Sequence, residues 1–159
     1  MPMKEKDTQK IIVTNRQARR DYFVLDTIEA GMVLSGCEVK SLRGAEASLE
    51  GSFARLDGQE VFLYNSYIAP YEMGGRESPP PLRTRKLLLH RSQIEKLKVK
   101  TLEKGLTLVP LKLYFNQKGI AKVEVAVVKA KKFYDKRADM KKESAQRDID
   151  RAKKQRNRG

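Results

Sequence analysis

Residue types that often carry catalysis or cross-links are scarce in this chain of 159 residues. The only cysteine, Cys37, excludes an intramolecular disulfide and is typical of a reducing, cytoplasmic compartment. The only histidine, His90, cannot complete an ordinary zinc site with that one cysteine. There is no tryptophan, no internal repeat, and no apolar run long enough for a membrane span or a signal core. We therefore expect neither a membrane-spanning nor a secreted chain.

Sequence motifs for common catalytic chemistry are missing as well. A Ser-His-Asp arrangement would depend entirely on His90, and the sequence contains neither a phosphate-binding G-x-x-x-x-G-K-[ST] loop nor a G-x-G-x-x-G after a strand. The carboxylates of Glu38, Glu46 and Glu50 are interpreted as helix caps and surface charge. We expect no enzyme, no cofactor, no metal and no small-molecule substrate.

Positive charge is what the chain has in excess, with 34 Lys or Arg against 20 Asp or Glu and a net charge of +14. Residues 129–159 hold 13 Lys or Arg and 5 Asp or Glu, a net charge of +8, and few apolar side chains. Such a segment cannot bury a core of its own. Because neutralised phosphates release counterions, the expected partner is a polyanion, RNA in particular, and not a membrane.

Composition divides the chain into three parts. Residues 1–10 are polar and predicted to be disordered, and residues 11–130 carry most of the apolar side chains and are predicted to form one domain. Residues 131–159 form a basic tail. Small and apolar side chains line one helical side of this tail, but the stripe is too thin to pack stably on the domain. The tail is predicted to be disordered when free and helical on a phosphate-rich partner.

Alternation of apolar and polar residues predicts about six strands in residues 11–130. Asp57-Gly58 indicates one hairpin, and residues 109–127 form a second, longer hairpin with one buried face. Pro110 implies an edge position or a bulge, and Gly31 implies a bulge or a sharp bend. Short strands with glycine bends predict a small closed barrel of the oligonucleotide-binding type, with a half-open α+β roll as the alternative.

Two capping boxes predict helices. Ser35 with Glu38 opens a short helix over residues 38–43, and Ser92 with Glu95 opens a second helix that stops at Gly105. Between the two, residues 73–81 contain glycines and prolines and are predicted to be a loop. Residues 83–86 are interpreted as a basic edge that leads into a buried strand.

Basic residues alternate with aromatic ones at Arg19-Arg20-Asp21-Tyr22-Phe23 and at Lys131-Lys132-Phe133-Tyr134. Lysine and arginine can neutralise phosphates, and an exposed ring can stack on an unpaired base, which contributes about 1–3 kcal/mol per base. Phe133 is expected to close the end of the barrel and Tyr134 to be exposed. A solvated turn is the alternative for residues 15–22, and Glu29 is either an exposed rim charge or an acceptor for base edges or a neighbouring arginine.

Taken together, several runs in order and with matching spacing resemble the SsrA-binding protein family, also called small protein B, of bacterial trans-translation. Besides the basic tail, these runs are Asn15-Arg16-x-Ala18-Arg19-x-x-Tyr22, Glu29-Ala30-Gly31, Gly36-x-Glu38-Val39-Lys40-Ser41-Leu42-Arg43, Tyr67-Ile68-Ala69-Pro70-Tyr71, Arg85-Lys86-Leu87-Leu88-Leu89 and Lys131-Lys132-x-x-Asp135-Lys136-Arg137. The resemblance covers nearly the whole chain.

The resemblance implies a six-stranded antiparallel barrel of the oligonucleotide-binding type with two or three peripheral helices. It also implies that the barrel binds the tRNA-like domain of transfer-messenger RNA and delivers this RNA, together with elongation factor Tu, to stalled ribosomes. The basic tail would become helical in the empty mRNA channel of the small subunit, beside the ribosomal RNA of the decoding centre. The stalled nascent peptide would then be tagged and the ribosome released.

The resemblance also implies two sets of site residues. The set expected to bind the tRNA-like domain is Asn15, Arg16, Arg19, Tyr22, Glu29, Leu88, His90, Lys131 and Lys132. His90 stands where some relatives have asparagine, and both side chains donate and accept hydrogen bonds. The set expected to act in the tail on the ribosome is Tyr134, Asp135, Lys136 and Arg137, with the Tyr134 ring facing the bases of the decoding centre.

Two other functions fit the same composition. A structural protein of the ribosome, or another translation factor with an oligonucleotide-binding barrel that binds ribosomal RNA or tRNA, would also combine a barrel with a basic tail. An enzyme that modifies or cleaves RNA is a third hypothesis, and it would require RNA turnover that is lost on His90→Ala.

Overall fold

The structure of the chain is a computed structural model that describes residues 9–71, 78–131 and 133–158, and in the last range it describes side chains at 141–153 only. The strands are β1 Lys10–Thr14, β2 Tyr22–Met32, β3 Ala47–Ser48, β4 Phe53–Asp57, β5 Glu60–Tyr64, β6 Tyr67–Ile68, β7 Arg85–Leu88, β8 Thr107–Phe115 and β9 Ala121–Ala130. The α-helices are α1 Arg16–Asp21, α2 Gly36–Arg43, α3 Arg91–Lys98 and α4 Phe133–Arg158.

Six of these strands close into a barrel. Going round the ring, β8 pairs with β4, then β5, β7, β2 and β9 follow, and β9 pairs with β8 again. Every pairing in the ring is antiparallel. The prediction of a six-stranded barrel of the oligonucleotide-binding type is confirmed, and the half-open roll is wrong. Strand β1 adds to β8 outside the ring, and β3 pairs with β6 in a separate ribbon.

The barrel interior is filled by the inward side chains of the predicted hairpins. Val61 and Leu63 from β5 and Val123 and Val125 from β9 are completely buried. Each such side chain stabilises the fold by about 1.5–3 kcal/mol relative to an exposed position. This core fixes the shape of the surface that surrounds it.

A second, smaller cluster lies under α1 on the outer face of the barrel. Ala18 of α1 packs here with Val109 and Leu111 of β8 and with Ala126 and Val128 of β9, while Tyr22 lies partly buried against the cluster. The basic segment at residues 15–22 is therefore a helix packed on the sheet rather than a solvated turn. Its outward side chains are held at a defined position on the barrel.

The turns and irregularities of the sheet follow the predictions in part. The hairpin at Asp57-Gly58 is confirmed: Asp57 pairs with Glu60, and Gly58 has the positive φ of +62° that favours glycine. The bulge at Pro110 is also confirmed, since the β8–β9 register shifts between Pro110 and Lys112.

The predicted bulge at Gly31 is wrong, because the shift in β2 falls between Val24 and Asp26. Gly31 instead pairs with Leu88 on one side and with Lys122 on the other. A Cβ at this position would lie 3.3 Å from Leu88 Cβ, so a close approach between strands, rather than a bulge, explains the glycine.

One capping box is confirmed and the other is wrong. Ser35 Oγ accepts from the Glu38 N–H at 3.3 Å, and Glu38 Oε1 accepts from the Ser35 N–H at 3.0 Å. The later helix, α3, is capped at His90 instead of Ser92, with Gln93 Oε1 accepting from the His90 N–H at 2.9 Å. The extended chain of β7 turns into the helix directly after His90, so Ser92 already lies inside the first turn. A π-helical turn at Val99–Glu103 then precedes Gly105, which has φ +66°.

Glu38 caps α2 as predicted, but the interpretation of residues 83–86 as a basic edge is wrong for Arg85, and the interpretation of Glu38 as a surface charge is wrong as well. Arg85 is completely buried and Glu38 is 2% exposed. Arg85 Nε donates to Glu38 Oε2 at 2.7 Å, and Arg85 Nη1 donates to the Ser66 carbonyl at 2.6 Å. Arg83 donates to the same carboxylate. This buried ion pair ties α2 to β7, the strand that carries Leu88.

The environment of the Arg85–Glu38 pair shifts the pKa of both groups. Burial alone would raise the pKa of Glu38, but hydrogen bonds from Arg83, the Ser35 backbone and Arg85 outweigh it and hold the pKa below its ordinary value. Burial lowers the pKa of Arg85, while the Glu38 carboxylate opposes that shift. The carboxylate is therefore charged at neutral pH.

Helix α4 contains most of the basic tail. It has 26 residues, a length of about 39 Å, and its described side chains at residues 141–153 are all exposed. Disorder of the free tail and of the N-terminus stays a prediction. Residues 1–8 and residues 72–77, which include 73–77 of the predicted loop, lie outside the described residues, and Lys10 is the first residue of β1.

Two kinds of feature are missing from the described ranges. In that part of the chain no helix is both long enough and apolar enough to cross a membrane. No group of three or more His, Cys, Asp or Glu among the same residues could hold a metal ion.

Candidate nucleic-acid interface

The structure brings Glu29, Leu88 and His90 together at one cleft. Strand β2 carries Glu29, and the pairing of Gly31 with Leu88 places β7 beside it. His90 follows two residues after Leu88, at the start of α3. The cleft has a volume of about 430 Å³ and is lined by Glu29, Gly31, Leu88, Leu89, His90, Gln93 and Lys122. Glu29 and Leu88, which are 59 positions apart in the sequence, thus share one concave surface.

The cleft combines apolar, acidic and basic side chains, and each of these can contact a different part of a nucleic acid. Leu88 is 52% exposed and offers an apolar contact to a base or a sugar. The Glu29 carboxylate can accept hydrogen bonds from exocyclic amines or from 2′-hydroxyl groups. Lys122 brings a positive charge to the same surface, where it can contact a phosphate.

Tyr114 holds the Glu29 carboxylate in place. Its hydroxyl donates to Glu29 Oε2, although Tyr114 is only 2% exposed. Burial, together with the Glu29 carboxylate, raises the pKa of Tyr114 well above its ordinary value, so the hydroxyl remains a donor at physiological pH. Lys112 Nζ lies 5.2 Å from the Tyr114 ring centre and 3.5 Å from Glu124. Tyr114 alternates along β8 with the buried Leu113 and Phe115, a pattern that predicts the outer face for Tyr114 and gives no sign of its burial.

A second cleft adjoins the first. It has a volume of about 410 Å³ and shares Glu29 and Lys122 with the first cleft. Its far side is the β8–β9 turn, where Asn116 Oδ1 accepts from the Lys118 and Ile120 N–H groups at 3.0 and 2.9 Å. The surface is therefore continuous from α3 to the tip of this hairpin.

The side chain of Asn15 makes hydrogen bonds within the protein. It is 8% exposed, its Oδ1 accepts from the Ala18 N–H at 3.2 Å, and its Nδ2 donates to the Pro110 carbonyl at 2.9 Å. It caps α1 and joins the helix to β8. Asn15 therefore positions the basic residues that follow it.

The other predicted contacts in this segment differ in exposure. Arg16 and Arg19 are exposed on α1, and Tyr22 is half-buried against the second cluster. A cleft of about 550 Å³ lies between α1 and residues 48–50. The two arginines are available to phosphates, while the Tyr22 ring contributes to the packing under the helix.

The remaining predicted residues lie where the barrel meets the tail. Lys131 follows β9 and makes contacts with α1. Lys132 lies outside the described residues. Tyr134, Asp135, Lys136 and Arg137, with the neighbouring Phe133, belong to the first turns of α4, where the structure describes the backbone but not the side chains.

A closed antiparallel barrel with a cleft of this composition, an exposed basic helix and a basic tail defines a small nucleic-acid-binding protein of the oligonucleotide-binding type. Comparison with known families then identifies the group: residues 12–155 match the family described as SmpB protein, and the chain belongs to this family.

Known relatives agree with the assignment. The SsrA-binding protein of Geobacillus thermodenitrificans (strain NG80-2) is 57% identical over 143 residues, which cover 90% of this chain and 92% of the relative. The SsrA-binding protein of Moorella thermoacetica is 51% identical over 147 residues, covering 92% and 95%. A chain from a solved structure described as "tmRNA-SmpB: a journey to the center of the bacterial ribosome" matches with a TM-score of 0.65 and 51% identity, over 76% of this chain and 85% of that chain.

Proposed function

We propose that this chain is an RNA-binding adaptor of trans-translation. Its barrel binds the tRNA-like domain of transfer-messenger RNA and delivers that RNA to ribosomes stalled without a usable codon. The nascent peptide is then tagged and the ribosome is released. The protein acts in the cytoplasm with the ribosome and contacts elongation factor Tu only indirectly, through the RNA.

The observation that carries the proposal is the convergence of Glu29, Leu88 and His90 at one cleft. These three residues come from two strands and the start of a helix, and their role in RNA binding follows from the family resemblance. The structure gives them a shared surface with Lys122, and Tyr114 orients the carboxylate. The relatives are named for SsrA, and the structural neighbour is described with tmRNA and the bacterial ribosome, which supports the same partners.

The two basic parts of the chain have separate tasks in this proposal. Arg16 and Arg19 extend the barrel surface toward the RNA backbone. The tail, α4, enters the empty mRNA channel of the small subunit, where its cations neutralise ribosomal RNA phosphates. Tyr134 faces bases of the decoding centre, and Asp135, Lys136 and Arg137 act beside it at the root of the helix.

The adaptor has no catalytic step. It contributes binding energy and geometry, while peptide transfer belongs to the ribosome. An RNA-cleaving or RNA-modifying activity of the purified protein that disappeared with His90→Ala would contradict this part of the proposal.

The binding part is tested by measuring the affinity of the purified full chain for the isolated tRNA-like domain at fixed ionic strength, since the electrostatic contribution depends strongly on salt. Glu29→Ala and His90→Ala are expected to weaken binding, each by roughly 10- to 100-fold, the size expected for 1–3 kcal/mol of lost base recognition. Glu103→Ala removes an exposed carboxylate from the π-helical turn, outside both clefts, and serves as the matched control. Wild-type affinity in both cleft variants would contradict the site.

A further inference from the structure

Lys131 lies at the root of the basic tail and is bound to the C-terminal end of α1. Its backbone N–H donates to the Asp21 carbonyl at 2.9 Å, and its Nζ donates to the Arg19 carbonyl at 3.1 Å. The same ammonium lies 5.0 Å from the centre of the Phe23 ring. The last carbonyls of a helix lack intrahelical partners and favour a positive charge, so this lysine completes the end of α1.

A second contact joins the same two helices further along the tail. Arg20 Nε lies 3.0 Å from Glu143 Oε2, with both side chains about two-fifths exposed. Glu143 follows Phe133, the first residue of α4, by 10 residues, which corresponds to about 15 Å along the helix. Two points of attachment at this separation fix the direction of a helix, whereas either one alone fixes only a position.

We propose that Lys131 is a positioning residue that joins the root of the tail to α1, rather than a contact to the phosphates of the RNA. The helix that carries Arg16 and Arg19 then sets the direction in which the tail leaves the barrel. The Arg20–Glu143 pair adds a weak second attachment. The effect on tagging rests on the proposed function, but the attachment itself does not.

The two roles of Lys131 differ in a measurable way. A lysine that contacts a phosphate lowers RNA affinity when it is replaced, and it also lowers the slope of log affinity against log salt concentration by about 1. A lysine whose ammonium is held by a carbonyl and a ring within the protein leaves both quantities nearly unchanged. It changes the distribution of tail directions instead.

The attachment is tested on the full chain in a Cys37→Ser background, with spin labels at Gln17→Cys on α1 and Ser144→Cys on α4. The wild-type lysine is expected to give one narrow distance distribution between the labels, in contrast to the disorder that the sequence alone predicts for the free tail. Lys131→Met broadens it, and Lys131→Arg, which keeps a cation for the carbonyl and the ring, restores it. Lys129→Met removes a charge two residues earlier from an exposed side chain and leaves the distribution narrow. An unchanged distribution in Lys131→Met overturns the proposal.

The functional consequence is tested with the same variants. Lys131→Met is expected to bind the tRNA-like domain with the wild-type salt slope and to lose tagging on stalled ribosomes, and Lys131→Arg recovers tagging. A reduced salt slope with a narrow distance distribution would make Lys131 a phosphate contact and overturn the inference. Phe23→Leu, which removes the ring and keeps the lysine, is a second variant and is expected to broaden the distribution as well. Failure of the wild-type chain to bind the RNA contradicts the proposed function but leaves the distance result readable.

Discussion

The barrel and the tail place positive charge in opposite environments. In the barrel, Arg85 is completely buried, and its guanidinium is shared among Glu38, Ser66 and backbone carbonyls. In the tail, every described side chain from residue 141 to residue 153 is exposed. Contacts within its own core therefore fix the geometry of the barrel, whereas the geometry of the tail depends on the partner that it contacts.

The difference explains why the two regions suit different partners. A cleft that recognises a folded RNA needs side chains held in fixed positions, and the Tyr114–Glu29 hydrogen bond supplies one such restraint. An exposed cationic helix can follow a groove lined by phosphates without a shape of its own. RNA selection and ribosome entry should therefore be separable by mutation.

The largest effect is expected from removing the tail. A chain truncated after Tyr134 keeps the complete barrel and should retain most of its affinity for the tRNA-like domain, while peptide tagging on stalled ribosomes is abolished. Binding assays and a tagging assay on the same preparation measure the two activities. An equal loss of both would show that the barrel and the tail do not act separately.

The next effect concerns the buried ion pair. Glu38→Ala leaves the Arg85 guanidinium buried without its carboxylate and should lower the free energy of unfolding by about 3–5 kcal/mol. Glu60→Ala is the matched control, since the Glu60–Lys86 pair at 3.0 Å is about half-exposed and contributes at most about 1 kcal/mol. Urea unfolding followed by circular dichroism measures both variants. Equal losses would contradict the contrast between buried and exposed charge.

The Arg85–Glu38 pair makes the stability of the barrel depend on pH. Because the pKa of Glu38 is lower in the folded state than its ordinary 4.5, its contribution is fully present above that value. It is lost as the pH falls below 4.5 and through the folded pKa. Wild-type stability should therefore decline in this acid range, and the decline should be smaller in Glu38→Gln. An identical acid profile for the two proteins would contradict this role of Glu38.

A smaller effect is expected at Tyr114. Tyr114→Phe removes the hydroxyl that holds Glu29 and should lower the free energy of unfolding by about 1.5–3 kcal/mol, as expected for a hydrogen bond to a charged group. RNA affinity should fall less than in Glu29→Ala, because the carboxylate is still present but less restrained. Tyr64→Phe, at a ring that stacks on Phe53 with centres 5.3 Å apart, is the control. A loss of affinity as large as that of Glu29→Ala would contradict the supporting role.

The smallest effect is expected at the exposed pair between α1 and the tail. Arg20→Ala should change the free energy of unfolding by less than about 1 kcal/mol, and the difference should shrink as salt is added. Thermal unfolding at low and high ionic strength measures it. A loss as large as that of Glu38→Ala would mean that the tail is part of the folded core.

Local signals in the sequence predicted most of the sheet. Asp57-Gly58 and the alternation along β8 and β9 act over a few residues, so the hairpins could be recognised directly, and the bulge at Pro110 follows from its missing N–H. The start of α3 was mispredicted because Ser92 and Glu95 fit the capping pattern, while the adjacent strand end makes His90 the cap.

The buried groups could not be predicted for a different reason. Glu38 and Arg85 are 47 residues apart, and the sequence does not show that the fold brings them together. Tyr114 and Glu29 are separated by 85 residues, so the sequence does not show their contact either. The family resemblance named Glu29, Leu88 and His90, but only the pairing of β2 with β7 shows that they line one cleft.

In this protein the barrel is proposed to select the RNA and the tail to bind the ribosome. Sequencing the RNA that co-purifies with the full chain and with the chain truncated after Tyr134 tests this division of roles. Transfer-messenger RNA is expected with both chains, and ribosomal RNA of the small subunit with the full chain only. Recovery of no transfer-messenger RNA with the full chain, or its loss on truncation, would show that the barrel does not select this RNA.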